Sequence, residues 1–235
     1  MRLDKFLANA GVGSRSQVKV LCKKGLVSVN GNVVKDSDYP IRDDVDEIVV
    51  QGKNISTRKK KYIMLNKPAG VVSATQDNLD RTVIECVPVS LRKDLFPVGR
   101  LDKDTTGLLL LTDDGVLSHR LLSPRKHVEK EYLVGCAEPV SVEQVASLEK
   151  GVDIGEEHLT MPAKVILTED NTIIHLIIHE GKFHQVKRMM KSVGNEVISL
   201  KRLRMGTLML DERLAPGDYR DLTEDELSKL MESEL

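Results

Sequence analysis

Residues 99 to 112 read Gly-Arg-Leu-Asp-Lys-Asp-Thr-Thr-Gly-Leu-Leu-Leu-Leu-Thr, a crowded polar loop running straight into the most apolar stretch of the chain. Asp113, Asp114 and Gly115 stop that stretch before it is long enough for a helix, so Leu108 to Thr112 is predicted to be a short buried strand. A carboxylate at the mouth of such a strand is a candidate catalyst, and Asp102 is the one singled out. Asp, Thr and Gly are also ordinary turn residues, and within the loop itself both readings stand; Asp104 reads as a turn residue.

The 235 residues suffice for one large domain or two modest ones. A composition of 40% hydrophobic and 30% charged residues with net charge -1 indicates a globular chain whose overall charge predicts no polyanionic partner. The distribution of charge says more. From Met1 to Lys35 the bases Arg2, Lys5, Arg15, Lys19, Lys23, Lys24 and Lys35 face only Asp4, and Arg58 to Lys61 form a second basic run, whereas the tail after Tyr219 is acidic. Phosphate affinity is therefore expected to be local. Cys22, Cys86 and Cys136 match no metal-ligand or redox spacing, so reduced thiols in a cytoplasmic protein are expected, with no metal site. No run of about 18 apolar residues occurs, which argues against a membrane partner.

Near the N-terminus, Leu3, Phe6, Leu7 and Ala10 recur at helical spacing, and Ser14 is placed to cap a second helix that Gly25 ends. Asn30-Gly31 suits a tight hairpin between Leu26–Val29 and Val33–Val34, and Glu47 to Val50 completes a small sheet. Such a module suits phosphate binding, although a charged helix face is also simply a solvated one. Gly52 to Lys61 reads as an exposed linker. Tyr62 opens a strand that leaves Lys67 at its end, available to an anion. Further on, helices are predicted over Asp114–Leu122, from Ser141 through Leu148, and over Phe183–Val193, with a last one opened by the Thr223/Glu226 capping box. Strands are predicted at Lys130–Gly135, Thr172–His179 and within Glu196–Leu210. His175 and His179 share a strand face but lack further ligands, which favours a structural role.

Arg2-Leu-Asp-Lys-Phe-Leu, Gly13-Ser-Arg-Ser-Gln and Gly25-Leu-Val-Ser-Val-Asn-Gly together resemble the S4 RNA-binding domain over about residues 1 to 50. The resemblance implies a structured RNA partner, with Arg15, Lys19, Lys23 and Lys24 on its phosphates. Gly99-Arg-Leu-Asp102, Lys130-Glu-Tyr132, Gly181-Lys-Phe-His-Gln-Val-Lys187-Arg188-Met and Asn66-Lys67-Pro68-x-Gly70 resemble the pseudouridine synthases that modify ribosomal RNA, and the likeness then spans the chain.

That resemblance implies an α+β chain: a small S4-like domain at residues 1–55, a basic linker at 56–61, and a catalytic domain at 62–235 built on a mixed, mainly antiparallel sheet with flanking helices. It implies isomerisation of a uridine of small-subunit (16S) ribosomal RNA, position 516, without a cofactor. Asp102 would be the nucleophile or base, which a nearby cation would keep ionised, and the partner is Lys187 or Arg188. The family often has Arg where this chain has Lys187, a point charge in place of a bidentate fork. Tyr132 would stack on the target base and assist proton loss from C5, and Arg100 would fill the place of the flipped nucleotide. Lys60 and Lys67 join the expected RNA contacts. The expected partner is ribosomal RNA within a partly assembled small-subunit particle, met by a monomer. The competing readings are a large-subunit target, a non-catalytic S4-type assembly protein, and a magnesium site built on Asp102/Asp104 or Asp113/Asp114.

Overall fold

The computed structural model describes residues 1–42, 45–55 and 60–232. The chain divides into two compact units, 1–59 and 60–235.

In the first unit, α1 (Leu3–Asn9) and α2 (Arg15–Lys23) precede β1 (Val27–Val29), β2 (Asn32–Val33), β3 (Ile48–Val50) and β4 (Lys53–Ile55). The strands form an antiparallel sheet in the order β2-β1-β3-β4. Ser14 and Gln17 close a reciprocal capping box at the start of α2. Asn30 and Gly31 both adopt positive φ, 51° and 80°, which makes the tight turn between β1 and β2. Gln51 and Gly52 repeat that geometry with φ of 50° and 79°. The expected linker therefore begins with a strand, β4. Leu3, Phe6 and Leu7 of α1 and Val18 and Cys22 of α2 pack on Val27, Val29, Ile48 and Val50. Arg15, Lys19 and Lys23, four residues apart, are left exposed along α2, and Lys24 is exposed beyond them.

Residues 56–59, with Arg58 and Lys59 of the expected linker, lie outside the described residues. Lys60 and Lys61, assigned to the same linker, are instead fastened to the second unit: Lys60 Nζ donates to the Asp113 carbonyl at 3.1 Å, and the Lys61 amide to Asp113 Oδ1 at 2.9 Å.

The second unit contains β5 (Tyr62–Lys67), α3 (Val89–Arg92), β6 (Phe96–Pro97), β7 (Thr106–Thr112), α4 (Gly115–Leu122), β8 (Lys130–Cys136) and α5 (Val142–Lys150). These are followed by β9 (Lys164–Leu167), β10 (Ile173–Ile178), α6 (Gln185–Ser192), β11 (Val197–Met205), β12 (Leu208–Met209), β13 (Tyr219–Asp221) and α7 (Glu224–Glu232). The sheet runs β13-β5-β7-β11-β8-β10-β9, with β6 also on β7 and β12 on β11. Its described pairings are antiparallel except β7 with β11, which are parallel, so the sheet is mixed and mainly antiparallel as expected. Asp114, Ser141 and Thr223 cap α4, α5 and α7. The helix expected over Phe183–Val193 starts two residues later, because His184 takes a left-handed conformation with φ of 48°.

Both faces of the sheet are covered. On one, Ile63, Leu65, Leu109 and Leu111 join Val134, Leu176, Val186 and Met190; on the other, Met64, Leu108 and Leu110 meet Leu117 and Leu121 of α4 and Leu230 of α7. That is why Leu108 to Leu111 form an unbroken apolar run instead of an alternating one, and all four are fully buried. Where β7 meets β11, Gly107 lies opposite Arg202. Gly107 has φ of 97°, and a Cβ there would overlap the Arg202 carbonyl and stand 2.8 Å from its amide nitrogen. Only glycine permits this approach. Gly107→Ala is therefore expected to destabilise the second unit by about 2–4 kcal/mol, from overpacking plus left-handed strain, measured by urea unfolding; wild-type stability would show that the two strands can separate freely.

Candidate active site

Asp102 lies in the irregular segment between β6 and β7, yet its backbone is held throughout. Ser73 Oγ donates to the Leu101 carbonyl at 2.8 Å and accepts the Leu101 amide at 3.0 Å. The Gly70 amide donates to the Lys103 carbonyl at 2.8 Å, and the Thr105 amide to the Asp102 carbonyl at 3.1 Å. Lys67, at the end of β5, completes the support. Its Nζ donates to the carbonyls of Thr105 (2.8 Å), Pro68 (3.1 Å) and Lys103 (3.2 Å). The expectation that Lys67 meets an external anion is thus corrected: the side chain is fully buried and its hydrogen-bonding capacity is spent on the loop. Burial pushes its ammonium down to about 8, against the pull of the nearby Asp104 carboxylate.

Across from the loop stands α6. Gln185, its first residue, accepts the Lys182 amide at 2.9 Å and donates to Glu180 at 2.8 Å, which fixes the start of the helix. Val186, Met189 and Met190 face the core, and the turn of about 100° per residue then sends Lys187 and Arg188 in different directions. Lys187 Nζ reaches both Asp104 oxygens at 2.7 Å and Asp102 Oδ2 at 3.6 Å. Arg188 turns to the segment after α5, pairing with Glu156 at 2.8 Å and donating to the carbonyls of Phe183 and Ile154. Of the two candidate partners of Asp102, the structure brings only Lys187 to it. Asp104 is more than a turn residue, since the Lys187 ammonium bonded to it holds its carboxyl below the usual range. His184 Nε2 lies 3.5 Å from Asp102 Oδ1, and its ring stacks on exposed Phe183 with centroids 3.8 Å apart.

Tyr132 rises from β8 into the same cavity, which Arg100, Asp102, Thr105, Lys130, His184 and Arg202 also line. It is nearly buried, and its hydroxyl has no partner among the described residues. Arg100 is exposed at the rim and Lys60 is exposed elsewhere on this unit. In the first unit Arg15, Lys19, Lys23 and Lys24 are exposed with no acid at ion-pair distance among the described residues. His175 binds Glu131 at 2.8 Å, and His179 meets the His127 carbonyl at 3.2 Å, the structural roles expected of them. Asp113 and Asp114 are used by the Lys61 amide and by the cap of α4. Sequence reasoning passed over Lys130, Thr105, His184 and Arg202. For Arg202 the available signal was its spacing of two from Leu200, which places both on one strand face.

A mixed sheet brings an acid and a tyrosine to one cavity, with a lysine paired to that acid from the neighbouring helix. The RNA pseudouridylate synthase family model matches residues 61–192, and the S4 domain model matches residues 1–49. The chain belongs to the RNA pseudouridine synthase family. It is 52% identical over 236 residues to the Bacillus subtilis (strain 168) protein described as uncharacterized RNA pseudouridine synthase YtzG, covering 99% of each. It is 42% identical to Ribosomal small subunit pseudouridine synthase A of Vibrio cholerae serotype O1, covering 98% of this chain and 99% of that one. A crystal structure of a pseudouridylate synthase superposes with a TM-score of 0.70 at 41% identity, covering 98% of this chain and 99% of the other.

The buried ammonium of Lys67 gives a pH test. Its folded value, about 8, lies below the unfolded value of about 10.4, so between these pH values the unfolded chain binds more protons and stability rises with pH. Below about pH 8 the cost of burying the charge is present in full. Lys67→Met removes this dependence, so the stability of the wild type relative to the variant should increase by about 1–2 kcal/mol between pH 7.5 and 9.5 in urea unfolding. A difference independent of pH would mean that the buried amine stays charged across this range, as it does in the unfolded chain.

Proposed function

We propose that this chain converts uridine 516 of small-subunit (16S) ribosomal RNA to pseudouridine, with Asp102 acting at ribose C1′ as nucleophile or as the base that starts elimination. The observation that carries the chemistry is Asp102 on its braced loop, with Lys187 at 3.6 Å and Tyr132 lining the same cavity. What supports the target is the likeness, over nearly the whole chain, to proteins named Ribosomal small subunit pseudouridine synthase A from Vibrio cholerae and Haemophilus influenzae.

The reaction breaks the bond from uracil N1 to C1′, turns the base and joins C5 to C1′, with no redox change. The uridine must leave its stack, at a cost of a few kcal/mol, before these atoms are reachable. Arg100, exposed at the rim, takes the vacated place. Tyr132 stacks on the extruded base and assists loss of the C5 proton. Lys187 is a cation shared by Asp102 and Asp104, and it places a positive charge beside the carboxylate that either role uses. Residues 1–55 form the RNA-binding domain, whose Arg15, Lys19, Lys23 and Lys24 hold phosphates together with Lys60, so affinity falls as salt rises. Residues 62–235 form the catalytic domain. The protein acts in the cytoplasm as a monomer on a partly assembled small-subunit particle.

In the test, RNA carrying tritium at uridine C5 is incubated with each variant. Wild type is expected to release tritium, whereas Asp102→Asn binds the RNA equally and releases none. Lys187→Met is expected to lower the rate by about tenfold to a hundredfold, and Arg188→Met to leave it within about twofold while lowering stability. Turnover by Asp102→Asn at the wild-type rate would falsify the role of Asp102. Mapping of pseudouridine in cells lacking the protein should show position 516 unmodified, and an unchanged map would remove that target.

A further inference from the structure

Two buried polar atoms in the cavity have no hydrogen-bond partner among the described residues. Arg202 is 2% exposed; its Nε donates to the Leu108 carbonyl at 2.8 Å, but Nη2 is unpartnered. Thr105 is also 2% exposed, and its Oγ1 is unpartnered. Both residues line the cavity that holds Asp102 and Tyr132. Folded chains retain few such atoms, because each forfeits the water it had in the unfolded state.

Their placement relates them to the base rather than to the sugar. Arg202 on β11 is directly opposite Tyr132 on β8, so the two side chains share a sheet face. Lys130, two residues before Tyr132, is buried on the same strand and lines the same cavity, its Nζ donating to the Val128 carbonyl at 2.8 Å. A β-bulge follows Arg202, and Arg204 beyond it turns to the opposite face to pair with Glu131 at 2.9 Å. The bulge thus leaves Arg202 alone of the two facing Tyr132.

The isomerisation requires stabilisation that Asp102, Lys187 and Tyr132 do not supply. When N1–C1′ breaks, the bonding electrons remain on uracil, and its negative charge is shared by N1 and the carbonyl oxygens. Lys187 is occupied with carboxylates. We propose that Arg202, assisted by Thr105, binds a carbonyl oxygen of the extruded uracil and stabilises the charge that this oxygen gains when the glycosidic bond breaks; this rests on the reading of Asp102 given above. The electron pair is used when C5 bonds to C1′. The C5 proton then leaves and N1 takes up a proton, so no other reactant is needed. A guanidinium fixed on a buried strand requires no reorganisation as the charge develops.

Thr105→Val and Arg202→Met test this with in vitro transcribed small-subunit RNA containing uridine or 5-fluorouridine, both free and bound by small-subunit proteins as a partly assembled particle, and with large-subunit RNA in parallel. Single-turnover consumption of the N-glycoside is read by nucleoside chromatography and mass spectrometry, since 5-fluorouridine has no C5 proton to lose and its product is a fluorinated C-glycoside. Thr105→Val deletes a hydroxyl that bonds nothing among the described residues, so Tm should stay equal or rise while the rate falls about tenfold at unchanged RNA affinity. Arg202→Met should be slower by about a hundredfold or more. Fluorine stabilises the uracil anion by itself, so the Arg202→Met deficit should shrink with 5-fluorouridine, a response that a purely structural defect would not give. A wild-type rate in Thr105→Val, or an Arg202→Met deficit that is the same for both bases, overturns the proposal. Wild-type conversion confined to large-subunit RNA overturns the small-subunit target alone and leaves this comparison intact. No wild-type conversion in either RNA overturns the Asp102 reading and this inference with it.

Discussion

Strand β7 meets β11 backbone to backbone, with no side chain between Gly107 and Arg202. Two sources of polar chemistry meet at this contact: the loop bearing Asp102 and Thr105 enters β7 just before it, and β11 carries Arg202 beside Tyr132 on β8. Because β7 is buried on both faces, its polar neighbours are displaced to its entrance. The apolar run and the polar cavity therefore have a single cause.

Charge in the cavity is divided by location. On the loop side, one lysine serves two acids, and the 2.7 Å contacts of Lys187 go to Asp104 while Asp102 keeps a looser one. On the sheet side, Lys130 and Arg202 are buried cations, and burial followed by the charge of Arg202 brings Lys130 down to about 8. A carboxylate near its countercharge and a guanidinium with an unspent donor suit opposite ends of one nucleotide.

Much of the fold was legible because local chemistry decided it. Ser14, Ser141 and Thr223 cap their helices, and Asn30-Gly31 turns its hairpin, by interactions within a few residues. The strand β4 was missed because Gln51, an unusual residue for positive φ, takes the position that Asn30 takes in the first turn. Asp102, Tyr132 and Lys187 were marked by family resemblance; Asp102 and Tyr132 line one cavity, and Lys187 is near it through its contact with Asp102. Lys67 was misjudged because its partners are backbone carbonyls from residues 68, 103 and 105, which a side-chain pattern does not record. Lys187 and Arg188 could not be separated by composition, since only the rotation of α6 distinguishes them. Arg202 was hidden among Lys201 and Arg204, which the bulge assigns to different surroundings.

The three carbonyls gripped by Lys67 have an evolutionary corollary. Every amino acid supplies a carbonyl, so the grip is indifferent to which side chains occupy positions 68, 103 and 105. Positions 68 and 103 are free to drift, or to be selected for contacts with a different RNA, without disturbing the path of the loop, whereas position 105 answers also to the cavity its side chain lines. The burden of constancy falls on position 67, whose reach and three donors no shorter or neutral side chain duplicates.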